Sequence, residues 1–350
     1  MTMAKLPPFP SPPQTPGQKK TLWDTIIVVT PVVLTVLATI LAGLSSSEMS
    51  SAQYFRSLAA QTQSKAGDQW GYFQAKKLRE ANNLNTLQIL QGLSPQSPLD
   101  ARQFTAAGDG LLDQLKTQNS DELTRLQPVI AELKRATTRP DTQTTLQYLT
   151  KGDVPAVDEQ SLPDAQVADL MRAVEDREST DELDHRAGAI DQPQIDASLA
   201  VAQKNTAAFD DATDQINLTA QHLSEILARL SDAQRSIGSS VGRAADEIGP
   251  LSSALTCARL RFDAARYARD AHFNQVEAQI YEVQVHRDGF ASERHRQRSK
   301  QFFYGMLGAQ AGVTIATLSL AGQRRSLLWS IAAIAGLAAI SFAAYVYFFV

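Results

Sequence analysis

The chain has 350 residues, of which 43% are hydrophobic and 20% charged, with a formal net charge of −4 and one cysteine. A slightly acidic chain lacks the broad basic surface that nucleic-acid binding needs, so no nucleic-acid partner is expected. A single cysteine cannot form a disulfide within the chain, whichever compartment the protein occupies.

A proline-rich leader, residues 1–23, comes first. Its prolines recur every three residues, at Pro7, Pro10, Pro13 and Pro16, which is the period of a polyproline II helix. Such a segment can bind an aromatic groove on a protein partner, although a disordered tail is the commoner meaning of this composition. We predict a disordered leader and keep a protein partner for it as the alternative.

Three apolar blocks follow, at 25–44, 302–321 and 327–350, and none of them contains Asp, Glu, Lys or Arg. Each is about 20 residues or longer, which is enough for an α-helix to cross about 30 Å of hydrocarbon. The first block is longer than the apolar core of a cleaved signal peptide, so an uncleaved anchor is favoured. The sequence therefore predicts three transmembrane helices, and their lack of charge argues against an ion-coupled transporter.

Basic residues on either side of these blocks bear on orientation. Lys19 and Lys20 precede the first block and Arg324 and Arg325 separate the last two, so the positive-inside rule places these ends in the cytoplasm. An opposing basic cluster adjoins the second block on its other side, where lipid phosphates lie. The candidates for lipid headgroup contact in this cluster are Arg294, Arg296, Arg298 and Lys300. We predict a bacterial inner-membrane protein with a cytoplasmic N-terminus and an extracytoplasmic central region.

The region between the first two blocks is predicted to be helical. One helix continues out of the membrane to residue 93, and a second spans roughly 99–136 with a bend at Pro128. Residues 152–196 then carry thirteen Asp and Glu against three Arg, a composition typical of a solvated, flexible segment. The spacing of a calcium-binding loop is absent from this segment, so no metal is expected.

A heptad pattern follows the acidic segment. Its positions, three or four residues apart, are Phe209, Ala212, Ile216, Thr219, Leu223, Ile226, Leu230, Ala233, Ile237, Ser240, Ala244 and Ile248. This spacing predicts a coiled coil in which Ile216, Leu223 and Leu230 are candidates for helix packing. After a break at 249–250, a last long helix runs to residue 300. The apolar stripes must pack against each other or against a second copy, and we predict a homo-oligomer.

Residues 68–77 read DQWGYFQAKK. Trp70 and Phe73 are three residues apart, whereas Tyr72 points elsewhere on a helix, so we interpret this segment as a packed helix face and not as a ligand site. Asp-Gln-Trp, the aromatic pair and Gln-Ala-Lys after one transmembrane helix resemble the bacterial membrane family called domain of unknown function 4337. A C-terminal helical hairpin with a basic loop is similar to that family as well.

That likeness covers 45–93, 260–350 and the first apolar block. It implies a bacterial membrane protein but no activity, because the family has none established. The chain departs from the family pattern in its length, its proline-rich leader, its acidic segment and its long heptad run.

Patterns typical of catalysis are sparse. The G-x-S-x-G sequence at 238–242 lies inside the heptad run, so Ser240 is interpreted as a small seam residue and not as a nucleophile. The five histidines lack the spacing of zinc ligands, and no glycine-rich phosphate loop is found. We therefore expect no enzyme and no cofactor. Gly308 and Gly312 form a G-x-x-x-G pattern, which is typical of close helix packing in membranes.

The sequence predicts an all-α protein with three transmembrane helices and a long helical, coiled-coil region between the first and the second. The predicted segments are 1–23 (disordered leader), 24–45 (transmembrane), 46–150 (helical), 151–196 (acidic insert), 197–300 (coiled coil and long helix), 301–321 and 327–350 (transmembrane). The function expected from this organisation is an oligomeric scaffold or adaptor of the cell envelope. A membrane component that relays helix movement as a signal is the alternative.

Overall fold

A computed structural model of the protein describes residues 22–93, 99–118, 120–162, 164–237, 248–321 and 325–349. Every regular element in these ranges is an α-helix, which confirms the predicted all-α class. The helices are α1 (Leu22–Leu93), α2 (Ala101–Gln118), α3 (Ser120–Thr138), α4 (Pro140–Lys151), α5 (Ala165–Glu175), α6 (Thr180–Ala187), α7 (Gln192–Ile237), α8 (Ile248–Ala321) and α9 (Arg325–Phe349).

The chain divides into two compact units. Unit 1 consists of Met1–Arg56 and Ala291–Val350, and unit 2 consists of Ser57–Phe290. Helices α1 and α8 contribute to both units. The proline-rich leader, Ser240 and the loop at 322–324 lie outside the described residues.

Unit 1 holds the apolar ends of α1 and α8 together with α9. These three helices are long and apolar enough to cross a membrane, as predicted. Their buried contacts involve mostly small residues and a few large ones: Leu34, Ala38, Leu41, Phe302, Ala309, Ala316, Ala332, Ala339 and Val346. Large apolar side chains such as Val32 and Leu337 are more than 60% exposed. Such exposure suits hydrocarbon surroundings and would be costly in water.

Unit 2 is organised around α8, whose side chains from Glu277 to Tyr281 are all buried. Helix α7 runs antiparallel to it, because Thr206 contacts Glu277 and Ser224 contacts Arg259. One apolar core lies among α2, α3, α4, the second half of α7 and the start of α8. A second core joins α5, α6 and the first half of α7 to Ile280 and Val283 of α8.

Two predicted helix boundaries in unit 2 are wrong. The single helix expected over 99–136 is assigned as two helices, α2 and α3, on either side of residue 119, which lies outside the described residues, and Pro128 lies inside α3. Ile248, predicted as the last heptad position, instead begins α8. Pro250 is tolerated there because the first turn of a helix has backbone N–H groups without helical partners.

The acidic segment contains ordered structure. Asp164 caps α5 by accepting hydrogen bonds from the backbone N–H groups of Gln166 and Val167, and Ser179 caps α6. Apolar residues of both helices, including Leu170 and Leu183, are buried in the second core. The segment is therefore partly helical, and α5 and α6 carry five of its thirteen acidic residues, whereas the other eight lie outside these two helices.

Candidate functional site: polar pairs along the long helices

The aromatic segment of α1 contacts α8 through a polar bond. Trp70 is half-buried and its indole N–H donates to Glu282 Oε1 at 2.8 Å. Phe73 is also half-buried and packs edge-on against Trp70, with ring centroids 5.4 Å apart. Tyr72 is 59% exposed. Within unit 2, Trp70 and Phe73 therefore lie on the side of α1 that approaches α8.

A salt bridge lies almost two turns further along α1. Lys76 Nζ is 2.6 Å from Asp270 Oδ2, and the Asp270 side chain is only 8% exposed. The same ammonium group lies over the ring of Tyr267, 5.5 Å from its centroid. Asp210 of α7 lies close enough to this pair for burial and then the Asp270 charge to raise its pKa, while Lys76 opposes the rise. Lys76 therefore interacts with two carboxyl groups, one from α7 and one from α8, and Arg266 also opposes the rise in the pKa of Asp210.

Further carboxyl groups of α8 are buried with fewer partners. Glu277 accepts a hydrogen bond from the Thr206 hydroxyl at 2.9 Å, and burial raises the pKa of its carboxyl group. Asp288 is fully buried. One of its oxygens accepts from Arg287 at 3.1 Å, whereas the other has no partner. Burial raises the pKa of Asp288, and Arg287 opposes that rise.

The acidic side chains of α8 are spread along the helix. Asp263, Asp270 and Glu277 recur every seven residues along α8, so they are spread over about 20 Å of helix and do not converge. Among the described residues, no set of three or more His, Cys, Asp or Glu side chains is placed to hold a metal ion. His286 and His295 contact single carboxylates, Asp184 and Glu48, at 2.6 and 2.5 Å. Such an arrangement can fix the register of helices.

The predicted packing residues of the heptad run lie inside the chain's own fold. Ile216, Leu223 and Leu230 are at most 5% exposed and belong to the first core of unit 2. Their neighbours in that core include Leu255 and Phe262 of α8. Among the heptad positions, Ser240 and Ala244 lie outside the described residues, and no side chain is described for Ile237.

The predicted glycines of α8 differ in their surroundings within unit 1. Around Gly308, a Cβ atom would meet nothing within 4 Å, so no close helix approach occurs there. Around Gly312, a Cβ would lie 3.3 Å from Leu34 and 3.4 Å from Ala335. Gly336 of α9, which the sequence did not single out, is tighter, since a Cβ there would lie 2.5 Å from Leu34.

The predicted lipid-contact residues lie at the start of the apolar part of α8. Arg294, Arg296 and Lys300 are exposed and Arg298 is half-buried. Arg296 also contacts Glu293 at 3.2 Å, and the Arg298 Nε is buried without a partner. By helical register, Arg296 and Lys300 lie on one side of α8, and Arg294 and Arg298 lie on another.

Comparison with known proteins identifies one family. Residues 23–145 match the family described as Domain of unknown function (DUF4337). This match confirms the resemblance that the Trp70 segment suggested, and it covers α1, α2, α3 and the start of α4. The C-terminal hairpin lies outside the matched residues, so its likeness to the family stays a prediction. No curated protein and no solved structure matches the chain.

Proposed function

We propose that the protein is a non-enzymatic, multi-pass membrane protein that acts as an oligomeric scaffold or adaptor of the bacterial cell envelope. The proposal is supported by the pairing of buried and half-buried polar side chains between helices. Lys76, Asp270, Trp70 and Glu282 pair between helices of unit 2, and such pairs determine which helices meet and in which register. These contacts support a role in assembly of the fold.

The proposal of an oligomer is supported mainly by the outward face of α1 in unit 2. This face steps by threes and fours along one side of the helix, and all of its side chains are exposed and uncharged. Its members are Ser57, Ala60, Ser64, Gly67, Gly71, Ala75, Leu78, Asn82, Asn85 and Ile89. Leu78 and Ile89 are 63% and 65% exposed. We call this set the outer face of α1.

We propose that the outer face of α1 binds the same face of a second copy of the chain. Because the face has no charge, two identical faces can meet without like-charge repulsion. Around Gly67 and Gly71 a Cβ atom would meet nothing within 4 Å, so a neighbouring helix can approach the backbone closely. Of the two alternatives for the stripe with Ile216 and Leu223, packing within the chain and packing between copies, the structure has the first, since these residues are buried in the chain's own core.

Disulfide crosslinking in native membranes tests the proposal. In a Cys257→Ser background, we expect Gly71→Cys to give a crosslinked dimer under mild oxidation. Tyr72→Cys is the matched control, because it is exposed at the same height but about 100° around the helix. Dimer from Gly71→Cys alone supports the proposal, and absence of dimer from both variants contradicts it. Leu78→Asp should abolish the Gly71→Cys dimer while leaving the circular dichroism spectrum unchanged.

A relay of helix movement is the second candidate, and helix continuity favours it. Helices α1 and α8 run without a break for 72 and 74 residues, so each joins an apolar segment to unit 2. A two-residue insertion after Ser47 would rotate the two parts of α1 by about 200° relative to each other. The relay predicts that crosslinking through Gly71→Cys then changes, whereas a scaffold held by unit 2 alone predicts no change.

A further inference from the structure

A groove lies between α1 and α8 in unit 1, where the apolar parts of both helices end. It has a volume of about 480 Å³. Its lining residues are Ala42, Ser45, Ser46, Met49, Ser50, Gln53, Ser299, Phe303 and Met306. Along α1 it extends from 42 to 53, about 16 Å of helix. A headgroup layer is about 5 to 8 Å thick, so the groove is longer than that layer is thick.

The groove has two chemically different ends. Ala42, Phe303 and Met306 form an apolar end beside the exposed apolar surface of the spans. Ser46, Ser50 and Gln53 form the other end, where their hydroxyl and amide groups are exposed. An amphipathic molecule with a chain at one end and a polar group at the other matches this division.

The groove is bounded by a fixed helix pair. Ser299 Oγ donates to the Ser45 carbonyl oxygen at 2.8 Å, and Ser45 Oγ donates to the Ser299 carbonyl oxygen at 3.0 Å. Two turns further, Ser292 Oγ donates to the Ala52 carbonyl oxygen at 2.9 Å. These side-chain-to-backbone bonds keep α1 and α8 close together, so the groove is formed before any ligand binds.

Two basic residues of α8 lie on the same side of the helix as the groove-lining Ser299 and Phe303. Arg296 precedes Ser299 by three residues and Lys300 precedes Phe303 by three residues, so both lie on the groove side of α8 by helical register. Both side chains are exposed. Arg296 contacts Glu293 at 3.2 Å, with both side chains about half exposed. An exposed pair of this kind is weak, so Arg296 can exchange Glu293 for a stronger anion.

From this arrangement we infer that the groove is a binding site for an anionic glycerophospholipid. The phosphate lies between Arg296 and Lys300 and accepts hydrogen bonds from the Ser46 and Ser50 hydroxyls. The acyl chains start against Phe303 and Met306 and continue along the exposed apolar surface. This site goes beyond the proposed scaffold function and does not depend on oligomerisation through the outer face of α1.

Lipid binding to the purified, detergent-solubilised full chain tests the inference. The probes are phosphatidylglycerol, phosphatidylcholine with the same acyl chains, and inorganic phosphate, each titrated and read by native mass spectrometry. We expect phosphatidylglycerol to bind most tightly. Arg296→Gln should weaken it about fivefold, and the Arg296→Gln and Lys300→Gln double variant about 30-fold.

Matched control variants distinguish lipid binding in the groove from general effects of charge and hydrophobicity on lipid affinity. Arg294→Gln removes one charge from a different face of α8 and should leave phosphatidylglycerol affinity unchanged. Ser50→Leu, which fills the polar end, should weaken it, whereas Ser47→Leu on another face of α1 should not.

Three results would overturn the site. The first is equal affinity for phosphatidylcholine, and the second is equal loss of phosphatidylglycerol affinity with Arg294→Gln and Arg296→Gln. The third is complete displacement of phosphatidylglycerol by inorganic phosphate at an equal concentration, which would indicate a site that binds an anion and does not recognise a lipid.

Discussion

Replacing Lys76 by Met removes the only ammonium group that contacts Asp270 in the described residues while keeping the length and apolar character of the side chain. Asp270 then remains buried as a carboxyl group next to Asp210, whose pKa is already raised. Removing one partner of a fully buried ion pair costs about 3 to 5 kcal/mol. Since Lys76 is 30% exposed, water screens part of the interaction, and we expect a loss of about 2 kcal/mol.

The loss should appear as a lower unfolding temperature of the full chain in detergent. For a unit of this size, about 2 kcal/mol corresponds to a decrease of about 4 to 8 °C. Lys77→Met is the matched control, because Lys77 is 48% exposed and forms an ion pair with Glu80 of its own helix. An exposed pair of this kind contributes at most about 1 kcal/mol. The double variant Lys76→Met, Asp270→Leu should recover much of the loss, since it leaves no unpaired charge in that pair.

The dependence on pH gives an independent check. Without Lys76, the folded-state pKa of Asp210 rises further, because the charge that opposes the rise is absent. A carboxyl group whose pKa is raised by folding stabilises the fold at low pH, and this contribution is lost as pH rises through the folded pKa. The Lys76→Met variant should therefore approach the wild type in stability as the solution is acidified. A loss equal to that of Lys77→Met, or one independent of pH, would refute the role assigned to this pair.

Three further substitutions test other contacts. Glu277→Gln should have the same free energy of unfolding as the wild type at low pH and a higher one above the raised pKa of Glu277, because the variant has no carboxyl group to ionise. Urea unfolding at several pH values measures this, and lower stability at every pH would contradict it. Gly336→Val should lower the unfolding temperature by an amount equivalent to about 1 to 3 kcal/mol through its contact with Leu34, whereas Gly308→Ala should have little effect; equal effects would refute the packing described. Gly152→Ala should lower the free energy of unfolding by about 1 kcal/mol or more, because Gly152 has φ +71° and a Cβ there would meet Arg261. An unchanged free energy of unfolding would contradict this.

The helical class and the three apolar helices were predictable from the sequence, because an uncharged run of about 20 apolar residues has the length and the hydropathy of a membrane-spanning helix. The heptad residues Ile216, Leu223 and Leu230 stand out through their periodicity. Their neighbour was not predictable, since an apolar stripe fits a helix of its own chain as well as a second copy. In the structure, α8 lies against this stripe.

The polar contacts were missed because they join residues about 200 positions apart. Lys76 and Asp270 are unremarkable charged residues until α1 and α8 are placed side by side. One signal was present, since Asp263, Asp270 and Glu277 recur every seven residues along α8. Charged groups repeated on a packed face indicate partners on neighbouring helices. The outer face of α1 was missed because its small, uncharged residues contribute little to apolar periodicity.

Labelling of single cysteines in intact spheroplasts tests the membrane topology most directly, and the proposed envelope function depends on that topology. In a Cys257→Ser background, Asn85→Cys and Asp181→Cys place exposed thiols on unit 2, and Ser326→Cys places one at the start of α9. We predict that a membrane-impermeant maleimide labels the first two in intact spheroplasts and labels Ser326→Cys only after lysis. Labelling of all three positions in intact spheroplasts would contradict this topology, because α8 would then fail to cross the bilayer.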